Sequence, residues 1–274
     1  MNARALALWS AAALTVALSS ANPVYRALVL VASLNVLLAL RRPGVRLRPL
    51  LLVMAVGGAS ALLVTFAVSH TGAHVLWTLP EGVPVLGGRF TVESLVFGAV
   101  SGLGISAAVV SVAPLSLVAA PHELLDALPR ALARSGAAVA TALNLLPALA
   151  RSATEIRDAQ RMRGVRVARL AGARHVALPV VLTAVEDSVR LAEAMEARAY
   201  ANGPRTHYGA MRWTAGDVAV AVLAALAAAV FVVLRATGTV PDWYPFPTLT
   251  APSVHPLAVI ACLALAAPAL RSRR

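Results

Sequence analysis

Two arginines stand at the ends of two amphipathic helices predicted in the middle of the chain. They occur in the phrases Ala159-Gln160-Arg161-Met162-Arg163-Gly164 and Glu193-Ala194-Met195-Glu196-Ala197-Arg198-Ala199-Tyr200. An arginine at an exposed helix end offers a permanent charge and five donors in a fixed fork, which suits carboxylates and carbonyls in a partner's groove. One such arginine is explained by the helix dipole alone, which is worth about 0.3–1 kcal/mol. Two matched ends instead indicate a surface on which another protein acts.

The two helices are predicted over residues 137–163 and 178–201. A shorter helix opens at Pro121 and should stop at Gly136, while Gly164 should cap the first long helix. Pro147 should kink that helix because it removes one backbone hydrogen bond. The triplet Asn202-Gly203-Pro204 should stop the second long helix.

Apolar side chains form a stripe along the second long helix, at helical spacings of three, four and seven. The stripe consists of Val181, Val185, Ala192, Met195 and Ala199. If it packs on the first helix, the two helix ends move as one rigid body. A surface ion pair is expected for Asp158 with Arg161. Glu186, Arg190 and Glu193 are expected to form an exposed charged row in which Arg190 pairs at i,i+4 and i,i+3 spacing.

The surrounding sequence is that of a membrane protein. The 274 residues have a mean hydropathy of +0.77, and 59% are hydrophobic against 13% charged. This predicts an all-α, polytopic helical protein with about six spans. The apolar segments are 5–21, 27–40, 49–68, 92–119, 214–235 and 255–270.

The predicted organisation is an N-terminal membrane block (1–120), a charged segment (121–212) and a C-terminal membrane block (213–274). The charged segment holds thirteen arginines and eight acidic residues, so the positive-inside rule places it in the cytoplasm with both chain termini. We therefore expect a multi-pass protein of the plasma membrane. A cleaved signal peptide at the N-terminus is the alternative interpretation of the first segment, and it leaves the remaining topology unchanged.

Composition excludes several chemistries. The chain has no lysine, which a Walker A loop needs at the nucleotide phosphates, so any ATP must be bound by partner subunits.

The net charge of +12 is explained by the arginine-rich cytoplasmic loops, and no nucleic-acid partner is expected. His70 and His74 are four residues apart and could share a helix face, but two histidines are a weak metal signal, and no metal site or other cofactor is predicted.

Small residues recur at every fourth position of the segment 92–119. They are Ser94, Gly98, Gly102 and Ser106. Such a ridge lets two helix backbones approach closely. It predicts either a docking face for a second membrane subunit or packing against a helix of the same chain.

The paired helix ends resemble those of the T component (EcfT/CbiQ-like) of energy-coupling factor (ECF) transporters, which import vitamins and transition-metal ions. In that family an Ala-Arg-Gly motif closes each of two cytoplasmic coupling helices, and its arginine contacts a groove on one of a pair of ABC-type ATPases. The resemblance implies that Met162-Arg163-Gly164 and Ala197-Arg198-Ala199 are the ATPase contacts. It also implies a small membrane S component that captures the substrate.

This sequence departs from the family motif at two positions. Met162 stands in place of the first alanine, and Ala199 stands in place of the second glycine. Each motif keeps its arginine and one small neighbour. The substrate stays open between cobalt, nickel, biotin, thiamine and another vitamin, because the S component would select it.

The alternatives to a non-enzymatic transport subunit are a membrane-embedded enzyme and a self-contained carrier. A membrane-embedded enzyme needs clustered acids, a Ser/His pair or a metal set at membrane depth, and a self-contained carrier needs polar groups near the midplane. The centres of the predicted spans contain no Asp, Glu, Arg or His. Both alternatives are therefore less favoured than the T component.

Overall fold

The computed structural model describes residues 2–41, 46–79, 88–119, 133–164, 170–200 and 213–272. The chain divides into two compact units. The membrane unit comprises Met1–Leu124 and Arg212–Arg274, and the central unit comprises Leu125–Met211. The two apolar blocks that are separate in the sequence therefore belong to one unit.

The membrane unit contains seven helices and one hairpin in its described part. The helices are α1 (Ala3–Ser19), α2 (Pro23–Leu40), α3 (Arg48–Val68), α4 (Val92–Val118), α7 (Ala215–Ala236), α8 (Pro256–Ala264) and α9 (Ala267–Ser272). Strands β1 (Val75–Leu79) and β2 (Gly88–Thr91) pair antiparallel between α3 and α4. The central unit contains α5 (Ala133–Met162) and α6 (Leu170–Ala197).

Among the described residues, four helices are long and apolar enough to cross a membrane, namely α2, α3, α4 and α7. The all-α polytopic prediction is confirmed, but two of the six predicted segments are not of spanning length. Helix α1 has 17 residues. The last segment is broken between α8 and α9, where Pro268 cannot donate the backbone hydrogen bond that a continuous helix needs.

Local sequence explains where the membrane helices begin. Asn2 and Asn22 cap α1 and α2 through their side-chain oxygens, and Thr91 caps α4. Thr214 and Asp217 form a capping box at the start of α7. Each cap satisfies an N–H group that the first helical turn leaves free.

The core of the membrane unit surrounds the short helix α1. Trp9 is fully buried, and its Nε1 donates a hydrogen bond of 2.8 Å to the Leu265 carbonyl at the break between α8 and α9. Tyr25 of α2 meets Phe231 of α7 edge to face, with ring centroids 5.3 Å apart. Residues from the first and last helices therefore share one core.

A polar network ties the α1–α2 turn to the segment between α7 and α8. Arg235 donates to the Ser19 and Val240 carbonyls and forms an ion pair with Asp242. Asp242 also accepts from the Ala21 amide at 3.2 Å. These bonds fasten that end of the unit across more than 200 residues of sequence.

The central-unit helices differ from the predicted ones at their ends. Gly136 lies inside α5, so the prediction that it stops a preceding helix is wrong, and α5 also continues through Pro147. The short helix predicted from Pro121 lies outside the described residues. Helix α6 begins eight residues before the predicted start at 178 and ends before the predicted end at 201.

Candidate functional site

The first helix end, residues 162–164, is closed by a glycine. The Arg163 amide donates to the Ala159 carbonyl at 3.3 Å, and the Gly164 amide donates to the Arg161 carbonyl at 2.9 Å. Gly164 has a φ of +79°, a left-handed conformation that glycine adopts at little cost. The prediction that Gly164 caps this helix is confirmed.

The second helix end, residues 197–199, has the bonding pattern of a Schellman motif. The Ala199 amide donates to the Glu196 carbonyl and the Tyr200 amide to the Met195 carbonyl, both at 2.9 Å. Ala199 takes the left-handed position, with a φ of +54°. A residue with a Cβ pays about 1–2 kcal/mol for that conformation. The helix therefore ends before Asn202-Gly203-Pro204, which lies outside the described residues.

The two motif arginines occupy the same position in these caps. Arg163 and Arg198 each directly precede the left-handed residue. Both are exposed, and neither guanidinium makes an ion pair or hydrogen bond within the described part of the chain. Met162, beside Arg163, is 85% exposed. The caps fix the backbone under each arginine and leave its donors available to a partner.

Each of the two long helices carries an ion pair between residues that are one turn apart. Arg161 pairs with Asp158 at 3.8 Å, and Arg190 pairs with Glu186 at 2.6 Å. These two predicted pairs are confirmed, whereas the predicted pairing of Arg190 with Glu193 does not form an ion pair in the described part of the chain. All four side chains are largely exposed, so water and salt weaken these interactions.

The predicted apolar stripe on the second helix does not form the buried face. Helices α5 and α6 contact each other, but Val181 and Val185 are 56% and 57% exposed. The partly buried side chains lie on a neighbouring side of α6, as shown by Val176, Val180, Ala184, Leu191 and Met195. Of the predicted stripe, only Met195 belongs to this face. The two sets of apolar residues lie about 100° apart around the helix axis, on neighbouring sides of α6, and the spacing could not tell which of them packs.

The small-residue ridge of α4 lies against α3 of the same chain. A Cβ added at Gly102 would lie 2.7 Å from the Gly58 carbonyl oxygen, and one at Gly98 would lie 2.9 Å from that of Leu62. Ser106 faces the same crossing, and Ser94 is buried with its hydroxyl donating to the Thr91 carbonyl. The ridge therefore packs within the chain, and these residues are not presented to a second subunit.

The two neighbouring histidines lie outside any helix. His70 and His74 are in the segment between α3 and β1, so the expectation of a shared helix face is wrong. His74 Nδ1 lies 2.7 Å from Oε1 of Glu93, which is fully buried in the first turn of α4. Among the described residues, no group of three or more His, Cys, Asp or Glu could hold a metal ion. The contact of His74 with Glu93 joins the segment before β1 to α4. Sequence spacing does not reveal this contact, so it was not predicted.

Taken together, the long apolar helices and the two exposed arginines, each next to a left-handed residue at a helix end, define a polytopic helical membrane protein with a second unit of amphipathic helices. A family model described as "Cobalt transport protein" (CbiQ) matches residues 3–208. That range is about three quarters of the chain and includes both helix ends. The chain therefore belongs to the CbiQ family of membrane transport proteins. No curated protein matches it.

Proposed function

We propose that the chain is the T component of an ECF-type ABC importer. In this role it couples ATP hydrolysis by two partner ATPases to uptake of a substrate held by an S component. The observation that carries the proposal is the pair of arginines that each directly precede a left-handed residue at a helix end, both exposed and without a partner in the described residues. A rigid backbone with free guanidinium donors is what a contact to an acidic or carbonyl-lined groove requires.

The absence of lysine supports a division of labour between subunits. Without a P-loop lysine the chain has no standard site for ATP, so ATP that drives transport would be bound by another protein. The family description names cobalt, which makes a transition-metal ion the first substrate to test.

The charged groups of the membrane unit also favour a coupling subunit over a carrier or an enzyme. Arg26, Glu93, Asp217 and Arg235 all lie in the first or last turns of their helices. Each is bonded within the chain, as when Arg26 donates to the Ser20 and Val100 carbonyls. None of these four stands near the middle of its helix, where proton- and ion-coupled carriers place such groups.

The test is charge reversal at both helix ends. Arg163→Glu combined with Arg198→Glu should abolish copurification of the ATPases, because loss of a desolvated charged contact costs about 2–5 kcal/mol at each end. Membrane insertion should not change, and stability should fall only by the helix-dipole contribution of about 0.3–1 kcal/mol at each end, since neither side chain has a partner in the described residues. The measurement is ATPase recovery in a tagged purification from native membranes in mild detergent.

The matched control is Arg157→Glu combined with Arg190→Glu, which makes the same charge change on the exposed sides of the same helices. This variant should retain the ATPases. Normal ATPase recovery with the double variant at the helix ends would overturn the assignment. Substrate flux by the purified chain alone would instead support a self-contained carrier.

A further inference from the structure

The β1–β2 hairpin exposes an apolar strand. Residues 75–78 of β1 are all exposed, and Trp77 is 70% exposed. An isolated two-stranded hairpin is marginally stable in water, and an open apolar strand promotes aggregation unless something covers it. The exposed side of β1 therefore needs an occupant.

The hairpin is amphipathic across its two faces. Trp77 pairs with Phe90, and the next residue, Thr78, pairs with Arg89. Paired residues point to the same side of an antiparallel sheet, and successive residues point to opposite sides. One face therefore carries Trp77 and Phe90, and the other carries Thr78 and Arg89.

The aromatic face is directed to the end of α3. Phe90 is buried, and its ring centroid lies 5.1 Å from that of Phe66, which is two residues before the last residue of α3. Because Trp77 stands opposite Phe90, it lies on the same side of the hairpin. The indole is thus placed beside the terminal turn of a candidate membrane span.

Helix α3 is a candidate membrane span with an exposed apolar side. None of its residues is buried, although it packs along α4, and Leu63, Val64 and Val68 are each more than half exposed. In a membrane protein these sides contact the hydrocarbon. The lipid-contacting surface of α3 therefore continues at its end into Trp77.

We propose that the β1–β2 hairpin anchors this end of the membrane unit in the phospholipid headgroup layer. Trp77 lies at the boundary between headgroups and acyl chains, the position that tryptophan favours. Arg89, on the opposite face, is directed toward the phosphates, whose charge it complements. The occupant is the lipid surface, and the inference does not depend on the proposed coupling function.

The test compares two adjacent positions on opposite faces. In a background with the buried Cys262 replaced by alanine, Trp77→Cys and Thr78→Cys are labelled with an environment-sensitive fluorophore. The full chain is placed in liposomes of phosphatidylcholine and phosphatidylglycerol. The label at position 77 should emit at shorter wavelength and be quenched more by nitroxide-labelled lipid than by iodide. The label at position 78 should show the reverse.

A second measurement keeps the native indole. Brominated lipid should quench part of the tryptophan emission of the unmodified chain, and Trp77→Phe should lose that part. Equal iodide quenching at both labelled positions would overturn the proposal, as would an unchanged quenched fraction in Trp77→Phe. Shielding of position 77 from both quenchers only when native membrane proteins copurify would also overturn it, in favour of a protein partner.

Discussion

The membrane unit and the central unit are stabilised in different ways. In the membrane unit, hydrogen bonds join distant residues, such as Trp9 with Leu265 and Asn2 with Asp217. In the central unit, the pairs Asp158–Arg161 and Glu186–Arg190 join neighbours within one turn. No residue of the central unit whose side chain is described is buried, whereas the membrane unit has a continuous core.

The residues that stabilise the fold therefore differ from those that are available for contact with a partner. The membrane unit depends on tertiary packing, so substitutions in its interior should reduce stability. The helices of the central unit depend on caps and local pairs, and their exposed ends contribute little to the fold. A substitution at those ends should therefore affect a partner more than the chain itself.

The largest stability effect is expected for Trp9→Ala in the membrane unit. The substitution opens a cavity in the core and removes the donor to the Leu265 carbonyl, which should cost about 3–5 kcal/mol. Trp9→Phe keeps most of the volume and should lose only the hydrogen bond, about 1 kcal/mol. Thermal unfolding in nanodiscs measures both, and equal losses would show that packing at Trp9 is unimportant.

A smaller effect is expected where α3 crosses α4. Gly102→Ala places a Cβ 2.7 Å from a backbone oxygen that cannot move aside, and such overpacking should cost about 1–3 kcal/mol. Gly58→Ala at the same crossing is the control, because its Cβ meets nothing closer than 3.5 Å. Unfolding measured against the concentration of a denaturing detergent should show a lower stability for Gly102→Ala than for Gly58→Ala. Similar stability of both variants would contradict the close approach of the helices.

At the second helix end of the central unit, a substitution is expected to increase stability. Ala199→Gly removes the penalty of the left-handed conformation and should stabilise the cap by about 1 kcal/mol. Hydrogen exchange of the Tyr200 amide, which bonds to Met195, should slow about fivefold. Gly164→Ala should destabilise the first end by a similar amount. Faster exchange in Ala199→Gly would exclude this cap geometry.

The smallest effect is expected for the surface pair of α6. Arg190→Ala should cost about 0.3–0.5 kcal/mol at low salt and almost nothing at high salt, since both partners are exposed. A double-mutant cycle with Glu186→Ala gives the coupling energy. A coupling that persists at high salt would mean that the pair is shielded, and the contrast between the two units would be weaker than described.

Sequence predicted the features that depend on local chemistry. The four spanning helices, the Gly164 cap and the ion pairs within one turn all follow from hydropathy, conformational preference or helical spacing. These properties belong to residues close together in the chain, so a pattern in the sequence is sufficient to find them.

Features that depend on distant residues could not be predicted. Val181 and Val185 had the right spacing for a buried face, but a neighbouring side of α6 is the partly buried one. The bond from the Ala21 amide to Asp242 depends on a fold that brings together residues 221 positions apart. The role of Ala199 was also missed, because alanine rarely takes a left-handed cap.

The bond between Trp9 and Leu265 has a consequence for biosynthesis. Its two partners are 256 residues apart, so the first helix is made long before the carbonyl that receives its indole N–H. At about 5–20 residues per second, the ribosome needs roughly 13–50 s to reach that carbonyl. During this time α1 has left the ribosome with its main partners incomplete. A premature stop or a long pause in the last quarter of the message should therefore leave an early intermediate open to membrane proteases.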